Sequence, residues 1–357
     1  MTAEVNEYLA PGADHLVVDA TVGGAGHSVA LYRCLGPRGF LVGIDQDDSA
    51  LAAAEARLSA VADEQRAAGK TPAPYRLLKG NFRDLDRLLA TVPLGYIDRI
   101  LFDIGVSSPQ LDDEERGFSY HPGAPLDMRM DPTGAAPTAA ELLARASQGE
   151  LTRILREGGE ERWAARIAQF IVTARVERPL LVSDDLVAVV KAAIPARERR
   201  TGGHPARTTF QALRIAVNDE LGALQQGIES AIAWLAPAGR IGVITFHSLE
   251  DRLVKTSFAA AEDRCICPPD LPVCACGRTP ILRSLTRGAV RVSEAEAAEN
   301  PRARSARLRV AQRVADQEET TPGTEGIQNK KKAKGGAGRL LEDNNGHAWS
   351  EERKEVY

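Results

Sequence analysis

Residues 16–27 read LVVDATVGGAGH. An apolar run leads into Asp19, Thr21 follows, glycines stand at 23, 24 and 26, and an amphipathic run opens at His27. That order describes a buried strand, a tight turn and a helix start. Glycine is required where the backbone bends sharply and lets a ligand come close. A second apolar stretch, residues 40–44, ends in Asp45. It lies about twenty residues past the turn, the separation at which an acidic side chain meets ribose hydroxyls. Together the two stretches point to an adenosine-bearing ligand and leave open a dinucleotide, S-adenosylmethionine (SAM) or another of that class.

Working outward, the pattern repeats. Residues 4–9 give a short helix stopped by Pro11-Gly12, and a helix at 27–35 is closed by Gly36-Pro37. Asp47 or Asp48 can cap an alanine-rich helix to about residue 68. Strands are predicted at 75–79 and 97–102, with a helix at 84–90 between them. Alternation of this kind implies an α/β fold, a parallel sheet covered on both faces with ligands at the carboxyl ends of its strands. Asp45, Phe82 and Asp103 all fall at such ends.

Residues 104–132 break the alternation and are dense in Ser, Pro, Asp, Arg and Gly. A loop this long inside a compact domain is usually functional. A helical block at 139–193 follows, with Trp163, Ile167, Phe170 and Ile171 on one face. Residues 210–235 read as a further helix, 240–246 as the next sheet strand and 305–314 as a last strand. The expected division is therefore a discontinuous sheet domain at 1–110 and 210–314. The active-site loop and an inserted helical substrate-recognition domain occupy 111–209, and a polar tail at 315–357 is expected to be disordered.

The chain has 357 residues, 43% hydrophobic residues and a net charge of -4, so any nucleic-acid surface must be local. No apolar run reaches the roughly 18 residues of a membrane span, and no secretory signal is read, so a cytoplasmic protein is expected. Four of the five cysteines, Cys265, Cys267, Cys274 and Cys276, crowd together. Four thiolates so close suit a structural zinc, although CxxC is the usual spacing. Reduced structural cysteines and reversible disulfides stay open as alternatives. Cys34 is expected to be buried in a helix.

Residues 101–129 read LFDIGVSSPQLDDEERGFSYHPGAPLDMR. With DATVGGAGHS, GIDQD, GNF, GEERWAARIA, FQALRIAVNDEL, FHSLEDRLVK and NPRARSARLRV in order, this chain resembles the RsmH/MraW family from about residue 3 to 314. The family's pattern often has glycine where Ala25 stands. The resemblance implies a Rossmann-like, SAM-dependent methyltransferase sheet with an inserted helical domain. It implies methylation of N4 of a cytosine in the decoding region of 16S rRNA, with the small ribosomal subunit as partner. A homodimer is compatible with it.

The residues can then be given roles. Backbone N–H groups of Ala25, Gly26 and His27 can meet the methionine carboxylate at a helix start. Asp45 suits the ribose, Phe82 the adenine, and Asp103 and Gln110 the polar groups near the methyl end. Ser107-Ser108-Pro109-Gln110 resembles the Ser/Asp/Asn-Pro-Pro-aromatic turn of amino-methyltransferases. That assigns Ser108 and the carbonyl near Pro109 to the two N–H bonds of the cytosine amine. Tyr120, Phe118 or His121 can stack on the base. His247, after the fifth strand, can accept a proton or orient the base, while Asp251, Arg252 and Lys255 fit a surface ion-pair face. Phosphate contacts are expected from Arg197, Arg199, Arg200, Arg207 and Arg214, and from Arg302, Arg304, Arg307, Arg309 and Arg313. Two competitors stand against this reading. A nicotinamide oxidoreductase needs G-x-G-x-x-G, and Val29 occupies the third place after Gly24 and Gly26. A non-catalytic RNA-binding protein has no need of a complete SSPQ turn.

Overall fold

The computed structural model describes residues 1–93, 95–200, 203–263 and 279–315, all within one compact unit. Five strands, β1 (Leu16–Asp19), β2 (Phe40–Asp45), β3 (Tyr75–Lys79), β4 (Ile97–Asp103) and β5 (Leu235–Thr245), lie parallel in the order β3-β2-β1-β4-β5. Val18 sits level with Val42 on one side and Ile100 on the other. All of β1 is buried, as expected of a parallel strand covered on both faces. Strands β6 (Leu282–Ser284) and β7 (Val290–Arg291) pair antiparallel with β8 (Arg307–Arg313). β8 in turn runs antiparallel to β5, from Arg240 opposite Gln312 to Thr245 opposite Arg307.

The order turns around between β1 and β4, which opens a crevice at their carboxyl ends. Asp19 and Asp103 terminate those two strands. Helices α1 (Thr2–Leu9), α2 (Gly26–Tyr32), α3 (Asp48–Ala67) and α4 (Leu85–Leu89) follow in chain order. One face of the sheet, through Val17, Leu41 and Leu101, packs on Leu9, Leu31 and Leu58 of α1, α2 and α3. The Asp47 side chain accepts the Ser49 N–H at 3.0 Å, so it is Asp47, not Asp48, that caps α3.

The chain then leaves the sheet through α5 (Ser108–Asp112). It forms α6 (Ala139–Arg145), α7 (Gln148–Gly159), α8 (Ala164–Glu177), α9 (Ser183–Ala193) and α10 (Arg207–Asn218). These helices have a core of their own, including Leu155, Ile167, Ile171, Val190 and Leu213. The long loop is anchored in it by Phe118, Leu126, Met128 and Met130. Phe118 is buried in this core and also lines the cleft at the carboxyl rim of the sheet.

Residues 210–235, read as one helix, are two. Asp219 adopts left-handed φ 47°, ending α10 and starting α11 (Glu220–Trp234). α10 packs with the helical block, while α11 and α12 (Ser248–Glu262) cover the other sheet face through Leu224, Ile228, Val254 and Phe258. α11 comes close at Gly227, where an added Cβ would lie 2.8 Å from the Phe82 ring and 3.2 Å from Phe102. Cys34 falls just past α2 and is exposed, because the helix ends at Tyr32. The cysteines at 265–276 and the tail from 316 lie outside the described residues, so neither the zinc expectation nor the disordered tail is addressed. No described helix is long and apolar enough to cross a membrane.

Candidate active site at the carboxyl rim of the sheet

The glycine turn after β1 is held by strand-end acids. Asp19 accepts the Ser28 hydroxyl at 2.5 Å and the Thr21 N–H at 3.2 Å. Burial pushes its carboxyl up to about 6. Asp45, at the end of β2, accepts Gly23 N–H at 2.9 Å and Asp47 N–H at 3.0 Å. Burial also raises Asp45, against those bonds. Ala25 is fully buried at φ 58° and forms the N-cap of α2. That left-handed backbone is the physical reason a glycine suits the position.

Asp103 carries the unusual electrostatics. Its backbone N–H is fixed by the Thr21 hydroxyl at 2.6 Å. The side chain faces a cleft, 31% exposed, with His27 Nε2 3.6 Å from Oδ2. Oδ1 is buried without a hydrogen-bond partner, and so is His27 Nδ1. Protein enclosure, then the neighbouring Asp19 charge, pushes Asp103 up to about 7. Burial pushes His27 down to about 4, so at neutral pH it is an uncharged neighbour. An orphaned carboxylate oxygen beside a neutral imidazole suits a ligand that brings its own positive charge and N–H donors.

The cleft, about 530 Å³, is lined by His27, Asp103, Ser107, Tyr120, Phe246 and His247 among others. The start of the SSPQ turn therefore opens onto the same space as the strand-end acid. Ala25, Gly26, Asp45, Phe82 and Gln110 are not among its lining residues. Phe82 stands edge-to-face on Phe102, with centroids 5.6 Å apart. The side chains of Ser108 and Pro109 lie outside the described residues.

Gln110 is spent within the protein. Its Oε1 accepts Ser107 N–H at 3.0 Å, and its Nε2 donates to Asp47 Oδ2 at 3.0 Å. Arg116 Nη1 donates to the same oxygen at 2.7 Å, while its Nη2 donates to the carbonyls of Arg129 and Met130. Burial of Asp47 opposes its charge, but bonds from Ser49, Arg116 and Gln110 win and hold the carboxyl at about 2. Asp47, read from the sequence only as a helix cap, is the post to which the long loop is tied.

His247 lines the cleft wall as the N-cap of α12. Its Nδ1 accepts Glu250 N–H at 3.4 Å, and its Nε2 lies 2.9 Å from Glu250 Oε1. Glu250 also accepts Phe246 N–H at 2.8 Å. Burial would raise this carboxyl, yet the contact with His247 holds it below the ordinary range. Only Nδ1 is hydrogen-bonded: Nε2 and Glu250 Oε1 lie close together, yet both are buried without a hydrogen-bond partner. Glu220, His247 and Glu250 are close enough to suggest metal ligands. However, Arg214 grips both Glu220 oxygens at 2.7 and 2.9 Å, which makes the group an ion-pair knot.

Several arginines read as phosphate contacts are also committed. Arg214 is paired to Glu220. Arg307 and Arg309 hold Asp251, which is buried against β8 and not part of a surface face on α12. Arg313 donates to the carbonyls of Ile232, Ala233 and Leu235. Arg302 pairs with Asp112 at 2.5 Å.

A mostly parallel α/β sheet with a charged crevice at its switch point and a long loop leaving the strand beside it defines a Rossmann-like protein. The profile of the MraW methylase family matches residues 1–314. Ribosomal RNA small subunit methyltransferase H of Heliobacterium mobile is 54% identical over 312 residues, spanning 87% of this chain and 96% of its own length. The proteins of the same description from Symbiobacterium thermophilum and Geobacter sulfurreducens are 52% and 50% identical over 316 and 314 residues. Each covers 88% of this chain, and 96% and 97% respectively of its own length. The chain belongs to the MraW methylase family.

Proposed function

We propose that this chain is a cytoplasmic methyltransferase that uses SAM to methylate N4 of a cytosine in the decoding region of 16S rRNA. One observation carries the reading: Asp103, with its unpartnered carboxylate oxygen, and Ser107, which opens the SSPQ turn, line a single cleft. SAM fits that floor because it brings an ammonium and a sulfonium to the unpartnered Asp103 carboxylate oxygen. When bound, it supplies a methyl group already activated by the positive sulfur.

The roles of the chain's own groups follow. Asp103 accepts from the ammonium. The N–H groups of Gly26 and His27 meet the methionine carboxylate, whereas that of Ala25, expected to join them, donates to the Val22 carbonyl at 2.7 Å. Asp45 keeps lone pairs for the ribose, and half-buried Phe82 lies against the adenine. Gln110 does not touch ligand in this account; it braces the SSPQ turn against Asp47.

A cytosine amine is a weak nucleophile because its lone pair is spread into the ring. Ser108 and the carbonyl near Pro109 accept its two N–H bonds, draw the lone pair onto nitrogen and aim it across the cleft. Positioning supplies most of the acceleration, and the base must leave its stack to enter. His247 holds the wall through Glu250. Replacing Ser108 with alanine is expected to lower the methyl-transfer rate by about tenfold or more while leaving SAM affinity nearly unchanged. Equal transfer rates in variant and parent would remove Ser108 from the mechanism.

A further inference from the structure

Two smaller cavities adjoin the cleft, and all three meet at His247. The first, about 470 Å³, is lined by Trp163, Arg199, His204, Arg207 and Gln211, and shares the last residue and Arg207 with the cleft. The second, about 230 Å³, is lined by Ser248, Arg291, Arg304 and Ser305, and shares Phe246 and Ser305 with the cleft. The acids nearby are neutralised: Glu160 pairs with Arg252, and Glu198 with Arg162. Arg199, Arg207, Arg291 and Arg304 are exposed and have no carboxylate partner among the described residues. Aromatic faces bridge the cleft and the first cavity. Tyr120, 43% exposed, stacks on His204 with centroids 4.1 Å apart and planes 6° off parallel.

We propose that the three cavities form one track for a single-stranded RNA. The target nucleotide sits in the central cleft, with flanking phosphates on Arg199 and Arg207 to one side and on Arg291 and Arg304 to the other. The inference rests on the methyltransferase reading and deepens it. Unpaired guanidinium groups alternating with stacking surfaces are what a strand without sequence readout needs. Arg214 lines the central cleft and Arg307 the second cavity, but each is held by a carboxylate, Glu220 and Asp251, so neither is assigned a phosphate; Arg309 and Arg313 line none of the three cavities.

The test uses the full chain and a short fluorescent single-stranded RNA, with affinity followed by anisotropy across a salt series. The paired variants R199A/R207A and R291A/R304A should each lower the slope of log affinity against log salt by about 1.4, two phosphates at roughly 0.7 apiece. The pair R66A/R153A, whose residues line none of these cavities, should keep the parental slope. Parental slopes in both track variants, an equal loss in the control pair, or no RNA binding by the parent would each overturn the track. Methyl transfer from radiolabelled SAM, measured on the same preparations, separates the two claims. Arginine-dependent RNA binding without methyl transfer would overturn the catalytic reading and leave the track standing. Methyl transfer with arginine-independent binding would overturn the track alone.

Discussion

Asp103 shows how much a single side chain can set. Its carboxyl sits at about 7 against an ordinary 3.8, through burial and the Asp19 charge. Between those values the folded chain keeps a proton that the unfolded chain has lost, so without ligand this group's contribution to stability falls as pH rises through that window. A cation bound beside Asp103 favours the charged form and must expel the proton below pH 7. SAM affinity should therefore climb by up to about tenfold per pH unit from pH 5 and level off above about 7. Calorimetry in the parent and in Asp103→Asn checks this: the variant should bind weakly with a flatter profile, and a flat profile in the parent would contradict it. Asp47 works in the opposite direction. Held at about 2, it contributes stability above the ordinary carboxylate range that is lost as pH falls toward 2. Asp47→Asn keeps the helix cap but strands the Arg116 charge, and should cost about 2 kcal/mol in denaturant unfolding. An unchanged midpoint would show that the loop is held elsewhere. Asp45 and Asp103 were legible because strand ends follow from the alternation of strands and helices. The wider role of Asp47 was not, because its partners Gln110 and Arg116 lie 63 and 69 residues along the chain.

Elements were legible in proportion to their length and periodicity. The five parallel strands and α3 declare themselves by apolar runs and a cap. β6 and β7, three and two residues long, are too short to show any period. The break at Asp219 hides inside a continuous helical pattern, since only a left-handed backbone, not a proline or glycine, marks it. Gly227 gives an element-scale test. An alanine there would press on Phe82 and Phe102 where α11 meets the sheet. Gly227→Ala should destabilise by about 1–3 kcal/mol despite its better helix propensity. Thermal unfolding measures it, and a stabilised variant would mean that α11 packs less closely than described.

For the molecule as a whole, two cores with a cleft between them divide the labour. The sheet presents the acids and the glycine turn, Asp47 ties the long loop to the sheet, and Asn218 of α10 ties the same loop to the helical block. Asn218 does so by accepting Met130 N–H at 2.8 Å and donating to the Met128 carbonyl at 2.8 Å. A net charge of -4 concealed the local basic track, and no count of arginines distinguishes those gripping Asp251 from those facing open cavities. Product identity tests the central claim most directly. Small ribosomal subunits lacking the modification are incubated with the full chain and SAM, the RNA is digested, and the methylated nucleosides are separated chromatographically and identified by mass spectrometry. The account predicts N4-methylcytidine. A product methylated on cytosine C5 or on a ribose hydroxyl would contradict it.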